Sequence, residues 1–358
     1  MAYQIKVNKT KDSRLPGVDF KNIPFGKVFS DHMFEADYID GAWTNPNIRP
    51  VEPLAIHPAN LALHYGQSIF EGMKAFADHE GHPVLFRPEM HAKRMNASAA
   101  RMSMPDIPEE LFLQALDALV SLEREWIPTE PGSSLYLRPL MFATDEFIGV
   151  AASQTYKFLI LALPVGPYYS KPVKLIVEDH FVRAVAGGTG EAKTAGNYAA
   201  SLLPARLARE KGYDQVMWMD AHEFKYIQEV GTMNLFFVFK DKIVTPATDG
   251  AILKGITRNS FIHILNDWGY AVEERPISID EVADAYREGN LIEIFGSGTA
   301  AVASQVSLLT YGALDIHFNE SNWDMSFKLK QTLEQIRHGL IEDKFGWVVP
   351  IEHPVEMA

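Results

Sequence analysis

One lysine and one distant acid stand out as groups that could share a reaction. Lys193 lies in Gly187-Gly188-Thr189-Gly190-Glu191-Ala192-Lys193-Thr194-Ala195-Gly196-Asn197-Tyr198, and Glu229 follows in Ile227-Gln228-Glu229-Val230-Gly231-Thr232-Met233-Asn234. A lysine amine can condense with an aldehyde. A carboxylate can keep a pyridine nitrogen protonated, so that the ring draws electrons, and a phenol such as Tyr198 can hydrogen-bond a ring hydroxyl. These are the groups that a pyridoxal 5′-phosphate enzyme needs.

Each motif also has a plainer meaning. Most lysines are solvated surface charges, and Glu229 alone reads as a turn or capping carboxylate. The lysine segment nearly spells a phosphate loop, with Gly187, four residues, then Ala192-Lys193-Thr194. That loop needs glycine where Ala192 stands so that its backbone can wrap phosphates. No acidic partner strand for magnesium follows.

Further on, Leu253-Lys254-Gly255-Ile256-Thr257-Arg258 opens a helix. It offers either an anion site made of free amides or an ordinary threonine N-cap. Phe295-Gly296-Ser297-Gly298-Thr299-Ala300-Ala301 reads as a tight turn whose small residues let amides approach an oxyanion. Arg94 and Arg101 share one helix face, and either could fork onto a phosphate. Tyr65 and Phe70 in the segment from Leu63 to Lys74, and Tyr136 in Ser134-Leu135-Tyr136-Leu137-Arg138-Pro139-Leu140, serve equally as core. Tyr136 and Arg138 alternate along a strand and therefore face one side. An arginine on a buried side needs an anion or carboxylate partner.

These groups need a scaffold. The chain has 358 residues, 47% hydrophobic and 22% charged, which suits two domains with sizeable cores. A formal charge of −13 argues against nucleic acid as a partner. With no cysteine, disulfides, thiolate metal sites and cysteine nucleophiles are excluded. His79-Glu80-Gly81-His82 reads as a polar turn between strands rather than a zinc site; no metal is expected. Neither a membrane-spanning run nor a signal-peptide core is legible, so no membrane partner is expected and the compartment is cytoplasmic by default.

Helices are expected after Pro88, with Met95, Ala99 and Met102 on one face, and after Pro108, with Phe112, Ala115, Leu116 and Leu119. Tyr156–Leu163 reads as a buried strand, and Pro164, Gly166, Pro167 and Pro172 mark a domain boundary. Residues 1–165 then form a small N-terminal domain, 166–176 a linker and 177–358 a larger C-terminal domain. Strands are expected at 173–177, 215–219, 234–239 and 291–295. A helix over 199–211 should be kinked or shortened by Pro204. A helix from Thr257 carries Phe261, Ile264, Leu265 and Trp268 and stops at Gly269. Leu329, Leu333, Ile336 and Leu340 mark a late helix.

From about His64 to Ala301 the chain resembles the branched-chain amino-acid aminotransferases of PLP fold type IV. Five separated motifs occur in the family's order: LHYGQSIFEGMKAF, LFRPEMHAKRM, YLRPL, GGTGEAKTAGNY with IQEVGTMNLFF, and LKGITR with FGSGTAA. The resemblance implies an α+β, two-domain fold like that of D-amino-acid aminotransferase, with the active site between the domains. It also implies a homodimer. Lys193 would be the Schiff-base lysine, Tyr198 would meet the ring hydroxyl and Glu229 the pyridine nitrogen. Arg94, rather than Arg101, would hold the phosphate with Gly255, Ile256, Thr257 and Thr299. Amides of Thr299 and Ala300 would take the substrate α-carboxylate. Tyr65, Phe70, Tyr136, Tyr168 and Tyr198 would line the side-chain pocket, and Arg138 would receive the side-chain carboxylate of glutamate. The substrates implied are leucine, isoleucine or valine with 2-oxoglutarate. Some relatives carry a redox cysteine pair where this chain has Ala301 and Ser304, so thiol regulation of that kind should be absent. The nearest alternatives are type IV transaminases for D-amino acids or (R)-amines; a phosphate-loop nucleotide binder is the alternative from another class.

Overall fold

The computed structural model describes residues 3–166 and 171–351. Tyr168 lies outside the described residues. The chain divides into two compact units, Met1–Tyr168 with Glu334–Ala358, and Tyr169–Leu333. The first break falls inside the expected linker. The C-terminal residues differ from expectation, because they group with the first unit instead of extending the second.

The first unit contains β1 (Lys6–Val7), β2 (His32–Ile39), β3 (Ala42–Pro50), α1 (Leu61–Tyr65), β4 (Ser68–Phe70), β5 (Met73–Ala77), β6 (Pro83–Phe86), α2 (Pro88–Arg101), α3 (Glu109–Leu122), β7 (Ser134–Ala143) and β8 (Tyr156–Val165). The strands form one sheet in the order β1-β3-β2-β8-β7-β5-β6, with β4 beside β7. Pro88 sits in the first turn of α2, where its missing N–H costs nothing. Ala92, Met95 and Ala99 of α2 are buried with Leu111, Phe112, Ala115, Leu116 and Leu119 of α3, in a core that the sheet completes through Phe34, Phe158 and Ile160. Each large side chain so buried contributes about 1.5–3 kcal/mol. Residues 78–82 are the polar turn between β5 and β6, where Asp78 accepts amides of Glu80 and His82.

The second unit contains β9 (Val173–Val177), α4 (Ala195–Glu210), β10 (Gln215–Met219), β11 (Ile227–Val230), β12 (Asn234–Phe239), β13 (Ile243–Thr245), α5 (Ile256–Asp267), β14 (Val272–Glu274), α6 (Ile279–Arg287), β15 (Leu291–Gly298), β16 (Val302–Tyr311), β17 (Leu314–His317) and the start of α7 (Asp324–Arg337). Its sheet runs β11-β10-β9-β16-β15-β12-β13-β14, with β17 beside β16. Strands β9 and β10 are parallel, and α4 crosses between them. Phe236 and Phe295, on neighbouring strands, stack at 5.1 Å, and Phe261 of α5 meets both edge-on. Gly269, at φ +79°, supplies the left-handed residue that stops the chain after α5.

Two expectations change, and one strand is added to them. Helix α4 begins a turn before residue 199 and runs on through Pro204, so the proline does not shorten it. Helix α7 ends at Arg337, and Leu340 lies beyond it, 62% exposed. A last strand, β18 (Val348–Pro350), pairs with β6 and returns the C-terminus to the first sheet. Among the described residues no helix is long and apolar enough to cross a membrane.

Candidate active site

In the second unit, Lys193 lies in the loop between β9 and α4. The Lys193 amine donates to Tyr198 Oη at 2.8 Å. They are five positions apart, so the entry into the first turn of α4 brings them together. Asn197 holds the preceding loop: its Nδ2 donates to the carbonyls of Thr189 and Ala192 at 2.7 and 2.9 Å, and its Oδ1 accepts from Thr189 Oγ1 at 2.7 Å. Gly190 could not be larger, since a Cβ there would lie 2.2 Å from the Ala251 carbonyl.

Glu229 is 3% exposed on β11, opposite Trp218 of β10. Its Oε1 accepts the Leu253 amide at 2.8 Å, and its Oε2 lies 3.3 Å from Arg183 Nε. Leu253 in turn offers its carbonyl to Asn234 Nδ2 at 2.9 Å. A Cβ on Gly255 would come within 1.9 Å of Asn234 Oδ1. A continuous set of contacts thus ties Glu229 to the start of α5. Arg183, Gly190, Ala192, Tyr198, Glu229 and Leu253 line a cleft with about 360 Å³ of empty space, part of it open to solvent.

The N-terminus of α5 departs from the threonine-cap reading. The capping residue is Gly255, which has no side chain to bond the first amides, and Thr257 lies inside the helix. The amides of this first turn keep the dipole and donors suited to an anion. Thr299 and Ala300 sit in the turn joining β15 to β16, where Gly298 pairs with Val302. Val302 takes φ +60°, the left-handed position that closes a three-residue hairpin.

The first unit gathers a second set. Arg138 and Tyr136 face one side of β7, and Arg138 Nη2 donates to Tyr136 Oη at 2.9 Å. The guanidinium lies 4.5 Å over the Phe70 ring and 5.3 Å over that of Tyr136. Its companions are therefore a phenol and aromatic faces, not the carboxylate that burial led one to expect. Arg138 Nε is buried with no hydrogen-bond partner among the described residues. Tyr65 ends α1 and is 39% exposed, with its ring near His64.

Arg94 is held by a residue that the sequence reading passed over. Glu71 is fully buried; its carboxylate accepts from Arg94 Nε at 2.7 Å and Nη2 at 2.8 Å, and meets His91 Nδ1 at 2.7 Å. Burial alone would raise the Glu71 carboxyl, but the Arg94 charge and the bonds from Arg94 and His91 outweigh it and hold the group well below the usual carboxylate range.

Sequence reasoning also missed Arg183, Asn197, Gly72 and Phe25. A Cβ on Gly72 would lie 2.1 Å from Tyr136 Oη, and the Phe25 ring meets Tyr136 edge-on at 5.7 Å. The available signals were an arginine flanked by Val182 and Ala184, and a glutamate inside an aromatic-rich segment.

Residues 68–309 match the family model described as amino-transferase class IV. The chain is 49% identical to branched-chain-amino-acid aminotransferase 2 of Bacillus subtilis (strain 168), over 97% of each chain. It is 43% identical to the branched-chain-amino-acid aminotransferase of Mycolicibacterium smegmatis, over 91% of this chain and 92% of that one. It belongs to the branched-chain amino-acid aminotransferases of class IV. The solved branched-chain aminotransferase of Escherichia coli superposes with a TM-score of 0.71 at 27% identity, covering 89% of this chain and 100% of that one. A second solved branched-chain aminotransferase, that of T.th., complexed with N-(5′-phosphopyridoxyl)-L-glutamate, gives 0.71 at 28% identity, covering 88% and 98%. The enzyme thus has the two-domain α+β fold of its family.

The donor set of this structure fits a pyridoxal phosphate. An amine stands beside a phenol, a buried carboxylate faces the same cleft, and the glycine-capped helix start is tied to that carboxylate through Leu253.

Proposed function

We propose that this enzyme transfers the amino group of L-leucine, L-isoleucine or L-valine to 2-oxoglutarate, giving the branched 2-oxo acids and L-glutamate, with pyridoxal 5′-phosphate as cofactor. The enzyme would act as a cytoplasmic homodimer in a ping-pong cycle. The observation that carries the reading lies in the second unit, where Tyr198, bonded by the Lys193 amine, and the buried Glu229 line one cleft.

When bound, the cofactor supplies a conjugated ring that accepts the electrons left as the substrate Cα–H bond breaks. Lys193 would hold it covalently, and the Lys193 amine, with Tyr198 Oη within hydrogen-bond reach, would move the substrate Cα proton. Glu229 holds the proton on the pyridine nitrogen. Arg94 and the amides of Gly255, Ile256, Thr257 and Thr299 hold the phosphate, and the amides of Thr299 and Ala300 hold the substrate α-carboxylate. Tyr65, Phe70, Tyr136 and Tyr198 would line the side-chain pocket. The aromatic faces beside Arg138 suit an aliphatic chain, while its Nε suits the distal carboxylate of glutamate. Discrimination among the three branched substrates should be small, because one methylene contributes about 1–3 kcal/mol.

The test is product analysis with holoenzyme, L-leucine and 2-oxoglutarate. Equimolar 4-methyl-2-oxopentanoate and L-glutamate support the reading. Turnover of D-leucine or an (R)-amine in place of L-leucine would move the enzyme to a neighbouring class.

A further inference from the structure

Arg183 is the buried charge in the cleft that the proposed reaction leaves without a task. Its side chain is 8% exposed. Its Nη2 donates to two backbone carbonyls, Gly190 at 3.4 Å and Ala251. Its Nε lies 3.3 Å from Glu229 Oε2, yet it is off-line for a hydrogen bond and has no hydrogen-bond partner among the described residues. The guanidinium therefore acts on Glu229 through its charge more than through an aligned bond.

The anchors of this guanidinium are chemically informative. Gly190 belongs to the loop that leads to Lys193, and Ala251 stands two residues before the amide that holds Glu229 Oε1. One side chain thus spans the lysine loop, the carboxylate and the segment that orients the carboxylate. The spacing is fixed from both sides, because Gly190 packs so closely on the Ala251 carbonyl that no Cβ fits. A carboxylate so deeply buried would tend to take up a proton to escape the cost of a buried charge. A cation 3.3 Å away opposes that tendency.

Resting on the reading of Glu229 as the partner of the pyridine nitrogen, we propose that Arg183 is a positioning residue that keeps Glu229 ionised and aimed. Only an ionised Glu229 can hold a proton on that nitrogen. A neutral one would donate its own proton and weaken the electron sink. Arg183 acts through Glu229 and touches no reacting atom in this account.

The experiment begins with the cofactor-free chain. The Glu229 carboxyl is followed by carbon NMR over pH and assigned by its loss in Glu229→Gln. In Arg183→Gln, Glu229 should take up its proton about one pH unit or more above wild type, as expected for loss of a cation at contact distance. Arg183→Lys restores the charge without the fork and should return the titration toward wild type. An unmoved titration in a folded Arg183→Gln, or equal shifts in both variants, would overturn the proposal by leaving Arg183 a structural staple only. Should Arg183→Gln fail to fold, Arg183→Lys together with Arg183→Met gives the same contrast between charge kept and charge removed. Spectra of the PLP-loaded proteins then complete the test: the pH at which the bound-cofactor spectrum changes should move in Arg183→Gln and not in Arg183→Lys. If wild type binds no PLP, the functional reading fails, while the apo titration still decides whether Arg183 governs Glu229.

Discussion

Replacing Arg138 by methionine should separate the two half-reactions. Among the described residues the side chain donates to Tyr136 Oη at 2.9 Å and lies 4.5 Å over Phe70, and its Nε has no hydrogen-bond partner. Methionine keeps a long apolar stem against Phe70 and removes the charge. The distal carboxylate of glutamate would then lose a charge-assisted hydrogen bond, about 1.5–3 kcal/mol, equivalent to about 10- to 150-fold in rate at the transition state. Leucine, which would use only the aromatic faces, should lose little, within about threefold. Stopped-flow single turnovers, following the cofactor absorbance after mixing with L-glutamate or L-leucine, measure each half-reaction alone. Equal losses for the two amino acids, or a larger loss for leucine, would refute the assignment of Arg138 to the carboxylate.

Other perturbations probe the supports of the site. Glu71→Gln leaves the buried Arg94 without its carboxylate and should destabilise the chain by about 3–5 kcal/mol in urea unfolding at neutral pH. Because the folded Glu71 carboxyl is held below its unfolded value, its contribution is full above the usual 4.5 and is lost as pH falls below it, so wild type and variant should converge in acid. Glu293 has the opposite sign. Burial pushes its carboxyl up to about 7 despite the bonds from Ser326 and Met325, so the native state keeps a proton that the unfolded chain has released. Stability should therefore decline as pH rises from about 4.5 to about 7, and Glu293→Gln should flatten that slope in the same urea series. Gly255→Ala should drive Asn234 off Leu253, since its Cβ would meet Asn234 Oδ1 at 1.9 Å. Equilibrium dialysis should then show PLP affinity reduced by about tenfold or more, comparable to an overpacking cost of about 1–3 kcal/mol; unchanged affinity would remove that contact from the account of the phosphate site.

The legible parts of the chain were those with local causes. Apolar spacing after Pro88 and Pro108 located α2 and α3, and a glycine after a periodic run located the end of α5. Lys193 and Tyr198 were both singled out from one short segment, and their contact has a local cause, since the chain between them runs into the first turn of α4. The groupings that depend on distant chain were not. Glu71 meets Arg94 across 23 residues and Arg183 meets Glu229 across a strand and a helix, so neither pairing leaves a periodic mark. The return of β18 to β6 was hidden for the same reason, since a three-residue strand carries no pattern of its own. At α5 the sequence offered either a Thr257 cap or an anion site of free amides, because hydroxyls are good caps. The backbone instead caps on Gly255, where Asn234 leaves no room for a side chain.

The most direct measurement is the absorption spectrum of PLP-loaded enzyme, taken before L-leucine, after it, and again after 2-oxoglutarate. The expected result is a yellow band that L-leucine bleaches and 2-oxoglutarate restores, with neither change in Lys193→Ala. A band that L-leucine leaves unaltered, or a Lys193→Ala protein that cycles like wild type, would contradict it.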